Sequence, residues 1–468
     1  MVHDERDVPT PLRSGTLAFA LIAFAATGRA ESDEVRGAAG DVYELSVQSH
    51  TYLELYRRAL LPGPSGALVV TETVAPLYEY VALRAQGLDL PFRRDGLAVE
   101  LNAWGRLDLA EPEGTQRLDG ELGSANVRYS DEHVWVKLGR QHFAGGAARY
   151  VRFDGASAGA ELDVGIGAEA YTGFSVVAPS YRRRGYQLLG AAPDSLVRDP
   201  GAYDGDERAS SWLAGARAYY ERPWSHGVAL SFHEQQRSGE LERRNLGADA
   251  HAALGETAEV AVSSLLDVDS LRLADVRAWS DVYLADELDL NVEYLHTEPA
   301  LFLSRQSVLS VFSTEQFEEI GGRLTLRVHR DAEFGGGAHL HGYDDGELGS
   351  RGELRTRFRP EGDARTLVSL AYVRVVAPRN GYHSARLALR RQLWRPLAAS
   401  GEAHLYLYDQ AILGYSSSSV GAASLEWAAG GGFGLLWGAS LARSPYARLD
   451  AQTLVRLSYE SSVLGGQR

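Results

Sequence analysis

Cysteine is absent from all 468 residues. That excludes a disulfide-stapled extracellular scaffold, thiol chemistry, c-type haem attachment and a lipid-modified N-terminal cysteine. Lysine occurs once, at Lys137, so nearly every cation is an arginine. Codon usage in a GC-rich genome and selection for bidentate anion contacts both produce this bias, and counting does not separate them. Long apolar runs are missing as well. Beyond the N-terminus no stretch of about 20 apolar residues is available to cross a bilayer as a helix, and mean hydropathy is slightly negative. The continuous Val/Ile/Leu strands of a buried soluble core are nearly absent. A G-x-S-x-G elbow, a Walker loop and an H-E-x-x-H pair are lacking too, so no enzyme is expected.

The formal net charge is −15. A nucleic-acid binder needs a basic face, so nucleic acid is not an expected partner.

What is present is a two-residue beat. Leu97, Val99, Leu101, Ala103, Gly105, Leu107 and Leu109 fall on one parity. Glu100, Asn102, Trp104, Arg106 and Asp108 fall on the other. Successive strand side chains point to opposite faces, so this segment is a strand with one apolar and one polar side. The beat returns at 160–176, at 320–330 and in about a dozen weaker segments. A one-sided sheet in water must pack against something, whereas a closed barrel in lipid need not. Gly15–Thr27 adds an apolar core preceded by Arg13 and followed by Gly28-Arg29-Ala30. Small residues there fit a secretory signal cut after Ala30, giving residues 1–30 as leader and 31–468 as one domain.

The expected fold is therefore an all-β, antiparallel transmembrane β-barrel with long extracellular loops. Its strand number is about 18, within a range of about 16–22. Tyrosine and tryptophan often stand near expected strand ends, including Tyr129, Trp135, Trp212, Tyr219, Tyr220, Trp224, Trp394 and Tyr459. Amphipathic rings at that level form an aromatic girdle in membrane barrels. The segments 179–210 and 297–318 interrupt the rhythm and are expected as long loops. The second, with Phe302, Leu303, Val308, Leu309, Val311 and Phe312, reads either as a lumen constriction or plug, or as an outer lid.

One stretch carries a family signal: DGELGSANVRY at 119–129, then VWVKLGRQHFAGGAARYVRFDGASA at 134–158. Its Leu138-Gly139-Arg140-Gln141, followed by a Gly-rich turn, resembles bacterial outer-membrane porin-like and alginate-export-type barrels. The resemblance covers about forty residues and implies a channel in the outer membrane of a Gram-negative bacterium. The ending Gly465-Gly466-Gln467-Arg468 departs from the terminal aromatic of many such barrels, Tyr459 being the nearest candidate.

Within this reading Arg140 sits awkwardly. Val134, Val136 and Leu138 take the apolar face, and Arg140 shares their parity. Either it snorkels at a strand end or a bulge at Gly139 turns it inward, the second being preferred. Arg140, Arg152, Arg182, Arg183 and Arg184 are the candidate positive wall or mouth charges. Glu100, Asp108, Glu161, Asp163 and Glu169 are the candidate lumen-facing acids. His339 and His341 share one strand face, with His329 on the preceding strand. No suitably spaced carboxylate accompanies them along the chain, so no metal site is expected. No cofactor is implied.

The expected role is porin-like passive diffusion of small hydrophilic solutes, with outer-membrane lipid as the partner of the apolar face and a homo-oligomer compatible with the barrel. The alternatives are a loop-plugged barrel serving as receptor or scaffold for a periplasmic or extracellular partner, or a hydrolase with its site at the barrel rim.

Overall fold

The computed structural model describes residues 10–11, 42–61, 69–90, 93–110, 118–176, 211–222, 225–298, 316–343, 346–360, 365–378, 380–445 and 447–466. These form one antiparallel sheet of 22 barrel strands, closed on itself. Thr10–Pro11 adds only a two-residue bridge to Leu60–Leu61.

In chain order β1 is Val42–Leu61, and β2 is Val69–Val74 and Pro76–Leu90 joined through Ala75. Next come β3 Arg93–Asp108, β4 Leu118–Ser130, β5 Val134–Gly145, β6 Arg149–Glu161 and β7 Ile166–Ser175. β8 Ser211–Arg222, β9 His226–Arg237, β10 Glu240–Leu254, β11 Ala258–Asp267 and β12 Arg272–Ala285 follow. Then β13 is Leu288–Thr297, β14 Phe317–His329, β15 Ala332–Tyr343, β16 Leu348–Phe358 and β17 Thr366–Val376. The last five are β18 Tyr382–Trp394, β19 Leu397–Ile412, β20 Tyr415–Gly430, β21 Phe433–Ser444 and β22 Ala447–Gly466. Every strand pairs with its sequence neighbours, and β22 returns to β1 from Val42↔Gly466 to Tyr56↔Gln452. Closure pairs the first strand with the last, so the sheet has no terminal edge strand, a condition for surrounding it with lipid.

The strand number stands at the top of the expected range, not at about 18. One source of the difference is 158–178, whose unbroken alternation read as a single strand. It is the end of β6, a turn over 162–165 and then β7. A four-residue turn preserves parity, so odd residues face the same side before and after it. The chain end differs too, since β22 runs past Tyr459 to Gly466.

Connections at the end shared by Val42 and Gly466 are short, from two residues (286–287, 330–331) to seven (359–365). The opposite end carries the long ones, 176–210 and 298–316, together with tight turns such as Ser238–Gly239. Ser238 (φ 52°) and Gly239 (φ 84°) take the left-handed conformations that match hairpin twist.

The two faces differ as the alternation requires. On β9, Val228 and Leu230 are exposed outward while Ala229, Ser231 and His233 are buried on the inner side. On β3, Val99 points outward with Leu97 and Leu101, whereas Arg106 and Asp108 are buried inside. Phe334, Trp394, Trp427 and the Phe433–Tyr459 pair (ring centroids 4.6 Å apart) stand near the short-turn end, large rings where a membrane interface accommodates them.

One hairpin leaves the wall. The β4–β5 ladder stops at Ala125↔Arg140, although β4 continues to Leu118 alongside β3. The β6–β7 ladder begins only at Phe153↔Ser175. Between these limits the β5–β6 hairpin stays intact, ending in a 3-10 turn at Gly146–Ala148. Its tip folds over the inner face of β8–β11. Ala147 N donates to Ser231 Oγ at 2.7 Å, and Asn245 Nδ2 donates to Ala147 O at 3.3 Å. Phe143, Ala148, Val151 and Phe153 pack against Tyr171 and Leu213, with Phe153 and Leu213 fully buried.

Gly139 is where the hairpin departs. Its φ is +114°, and a Cβ there would lie 2.3 Å from the Ala125 carbonyl oxygen. Gly139→Ala is therefore expected to cost about 1–3 kcal/mol through backbone strain alone. A lower urea midpoint for loss of the heat-modifiable folded band on electrophoresis checks this; an unchanged midpoint refutes it.

Candidate functional site: the barrel wall and its inner hairpin

The inner face is built from one parity of every strand, so its chemistry follows directly from the register. Glu100 on β3 accepts a hydrogen bond from Ser124 Oγ (2.7 Å) on β4. Glu169 on β7 meets Arg217 on β8 at 3.3 Å, and Tyr219 OH donates to Glu161 at 3.1 Å. Asp108 is wholly buried and held by Arg106 at 2.8 Å, so it is a wall brace and not an open lumen charge. Asp163 corrects the expectation further. It lies in the 162–165 turn, its side chain 87% exposed, because the strand expected to carry it breaks there.

The arginine candidates also need correction. No bulge occurs at Gly139, since the ladders run without a register shift to β4 and to β6. Arg140 keeps the parity of Leu138 and stands at the pivot of the inward hairpin. There it forms a bidentate pair with Asp154 (2.6 and 2.7 Å) and donates to Leu122 O at 3.0 Å. Arg152 is held by Glu121 at 2.7 Å. Both positive charges are thus neutralised where β4 and the hairpin separate, which removes the cost that a lone charge on the lipid-facing parity carries. Arg182, Arg183 and Arg184 lie outside the described residues, as do residues 299–315 of the second long loop.

Alternation alone missed the hairpin tip. Arg149 (φ 56°) reaches from the 3-10 turn to Asp275 on β12, whose side chain is wholly buried. The hairpin buries Gln141, Val151 and Phe153, and at its tip Gly146, Ala147 and Ala148, leaving His142 and Tyr150 exposed on its other face, their rings 5.9 Å apart. A signal was available in the sequence: Phe153, Leu213 and Leu265 are large apolar residues on the parity that is otherwise polar.

Inner charges fall into sectors. β11–β13 present Glu259, Asp267, Asp275, Asp281, Asp289 and Glu293, with Arg272 and Arg277 as counter-charges on β12. β14–β18 present Arg323, Arg327, Arg351, Arg355, Arg357, Arg386 and Arg390 on the same face. Several arginines are tied locally, Arg323 to Glu353 at 2.6 Å and Arg386 to Glu402 at 2.7 Å. Where the sectors meet, Glu293 on β13, Glu319 on β14 and His339 on β15 come together. His329 is elsewhere, in the short-turn region beside Asp331 at 3.5 Å. The one acid of β15, Glu333, lies at its other end opposite Arg327, so the carboxylates beside His339 come from β13 and β14.

A closed antiparallel ring, apolar outside and polar inside, is the architecture of a membrane-spanning β-barrel. No helix among the described residues is long and apolar enough to cross a membrane. No family model matches the sequence, and no curated protein matches it either. Among solved structures the chain is similar to the translocation pore of the P pilus usher PapC, at a TM-score of 0.47 and 10% identity over 89% of this chain and 100% of that chain. It is also similar to OccK8 (OprE) of Pseudomonas aeruginosa, at a TM-score of 0.43 and 8% identity over 91% and 100% of the two chains. OccK3 (OpdO) of the same organism aligns at a TM-score of 0.40 and 10% identity over 90% and 96%. The alginate-export type is not confirmed by these comparisons.

Proposed function

We propose that the protein is a porin-like channel in the outer membrane of a Gram-negative bacterium, passing small hydrophilic solutes by passive diffusion. The observation that carries this reading is the charged inner wall of a closed barrel, with a hairpin folded against it. Outer-membrane lipid covers the apolar face, and the β5–β6 tip narrows the passage. Arg140, Arg152, Glu100, Glu161 and Glu169 set the wall near that tip, the arginines through their acid partners. Selection follows from lumen width and from the field of the acidic and basic sectors.

Purified, refolded protein inserted into planar bilayers is expected to give stepwise, ohmic conductance with a finite reversal potential in unequal salt. Protein that folds and inserts but gives no conductance steps overturns the channel.

A further inference from the structure

We propose that the inner wall carries a binding site for a divalent first-row transition cation, formed by Glu293, Glu319 and His339. One donor atom from each of the three lies within 4.8 Å of the others. His339 Nδ1 stands 2.9 Å from Glu319 Oε1 and 3.4 Å from Glu293 Oε1. Metal bonds of about 2.0–2.2 Å set donor atoms roughly this far apart around one ion.

The imidazole supplies an independent observation. Its side chain is only 2% exposed, yet neither Nδ1 nor Nε2 has a hydrogen-bond partner. The carboxylate oxygens approach Nδ1 without hydrogen-bond alignment. A buried polar group left this way is costly, and a coordinated ion is one means of satisfying it.

The surroundings are arranged for the same purpose. Gly321 lies directly opposite His339, and a Cβ there would fall 2.2 Å from Nδ1, so glycine makes room for the ring. His341, two residues on, places Nε2 3.2 Å from the other oxygen of Glu319, likewise without an aligned hydrogen bond. Arg351, opposite His339 on β16, is turned toward Glu353 at 2.8 Å. Glu353 also takes Arg323 from β14. One imidazole and two carboxylates suit Zn2+ or a related ion, and the half-exposed Glu293 leaves a position open to the lumen for water.

The test is titration calorimetry of chelator-treated, refolded full-length protein in detergent at neutral pH, with Zn2+ alone as probe. Wild type is expected to bind one equivalent. His339→Gln abolishes that binding, Glu293→Gln weakens it, and His404→Gln, on the inner face of β19, leaves it unchanged. Heat-modified mobility on electrophoresis reports folding. If His339→Gln does not fold, the solvent-accessible Glu293→Gln decides the question. No binding by wild type, or equal binding by wild type and the folded Glu293→Gln and His339→Gln variants, overturns the site. Neither result depends on whether the barrel conducts.

Discussion

Replacing Phe143–Val151 by a two-residue Asn-Gly turn is expected to raise single-channel conductance by about twofold or more, because it removes the hairpin tip from the lumen. Asn-Gly suits the type I′ turn that joins the remaining strand ends. Arg149→Ala tests the same element by a smaller change. Arg149 is the tip's charged link to the far side of its dock, and it reaches Asp275 on β12 and Ser263 on β11. Its removal leaves the wholly buried Asp275 to its ion pair with Arg277 at 3.3 Å. Ala147 still holds Ser231 and Asn245 in that variant, so intermittent opening is expected instead of a uniformly wider pore. Planar-bilayer recordings measure both. Unchanged conductance in the tip replacement, with the barrel folded, places the passage elsewhere and refutes the hairpin as its constriction.

That element is also where sequence reasoning met its limit. The strands themselves were legible, because each residue's face is decided locally by a period of two. Leu97, Val99 and Leu101 do point outward, and Glu100, Asn102 and Arg106 inward. The awkward parity of Arg140 was legible too, but its solution was not. A bulge changes one strand, whereas the molecule bends a whole hairpin whose departure depends on contacts with Ser231, Asn245 and Asp275, far along the chain. The acid partners had the same difficulty. Glu121 for Arg152 and Glu319 for His339 are set by ladder register, which is fixed collectively around the ring. His339 and His341 are legible as a same-face pair, whereas the carboxylates beside them stand on β13 and β14. The turn at 162–165 was hidden for the opposite reason, since nothing in its parity changes.

The second large effect expected concerns ion selectivity. Neutralising Arg351, Arg355 and Arg357 together with glutamine removes three positive charges from the inner face of one strand, β16. In unequal potassium chloride the reversal potential is expected to move toward cation preference by on the order of 10 mV. The charges act through water, so the shift must grow as salt falls and the screening length rises above about 10 Å. The complementary triple variant Glu259→Gln, Asp281→Asn and Asp289→Asn removes three of the six acids presented by β11–β13 and is expected to move the potential the other way. Asp289 is already engaged by Arg327, so part of its negative field is cancelled in the wild type. Arg351 is likewise engaged by Glu353, so shifts of similar size are expected from the two variants. Opposite signs locate the ion path between the sectors. A shift of the same sign in both, or none in either at low salt, means that permeating ions do not run along these walls.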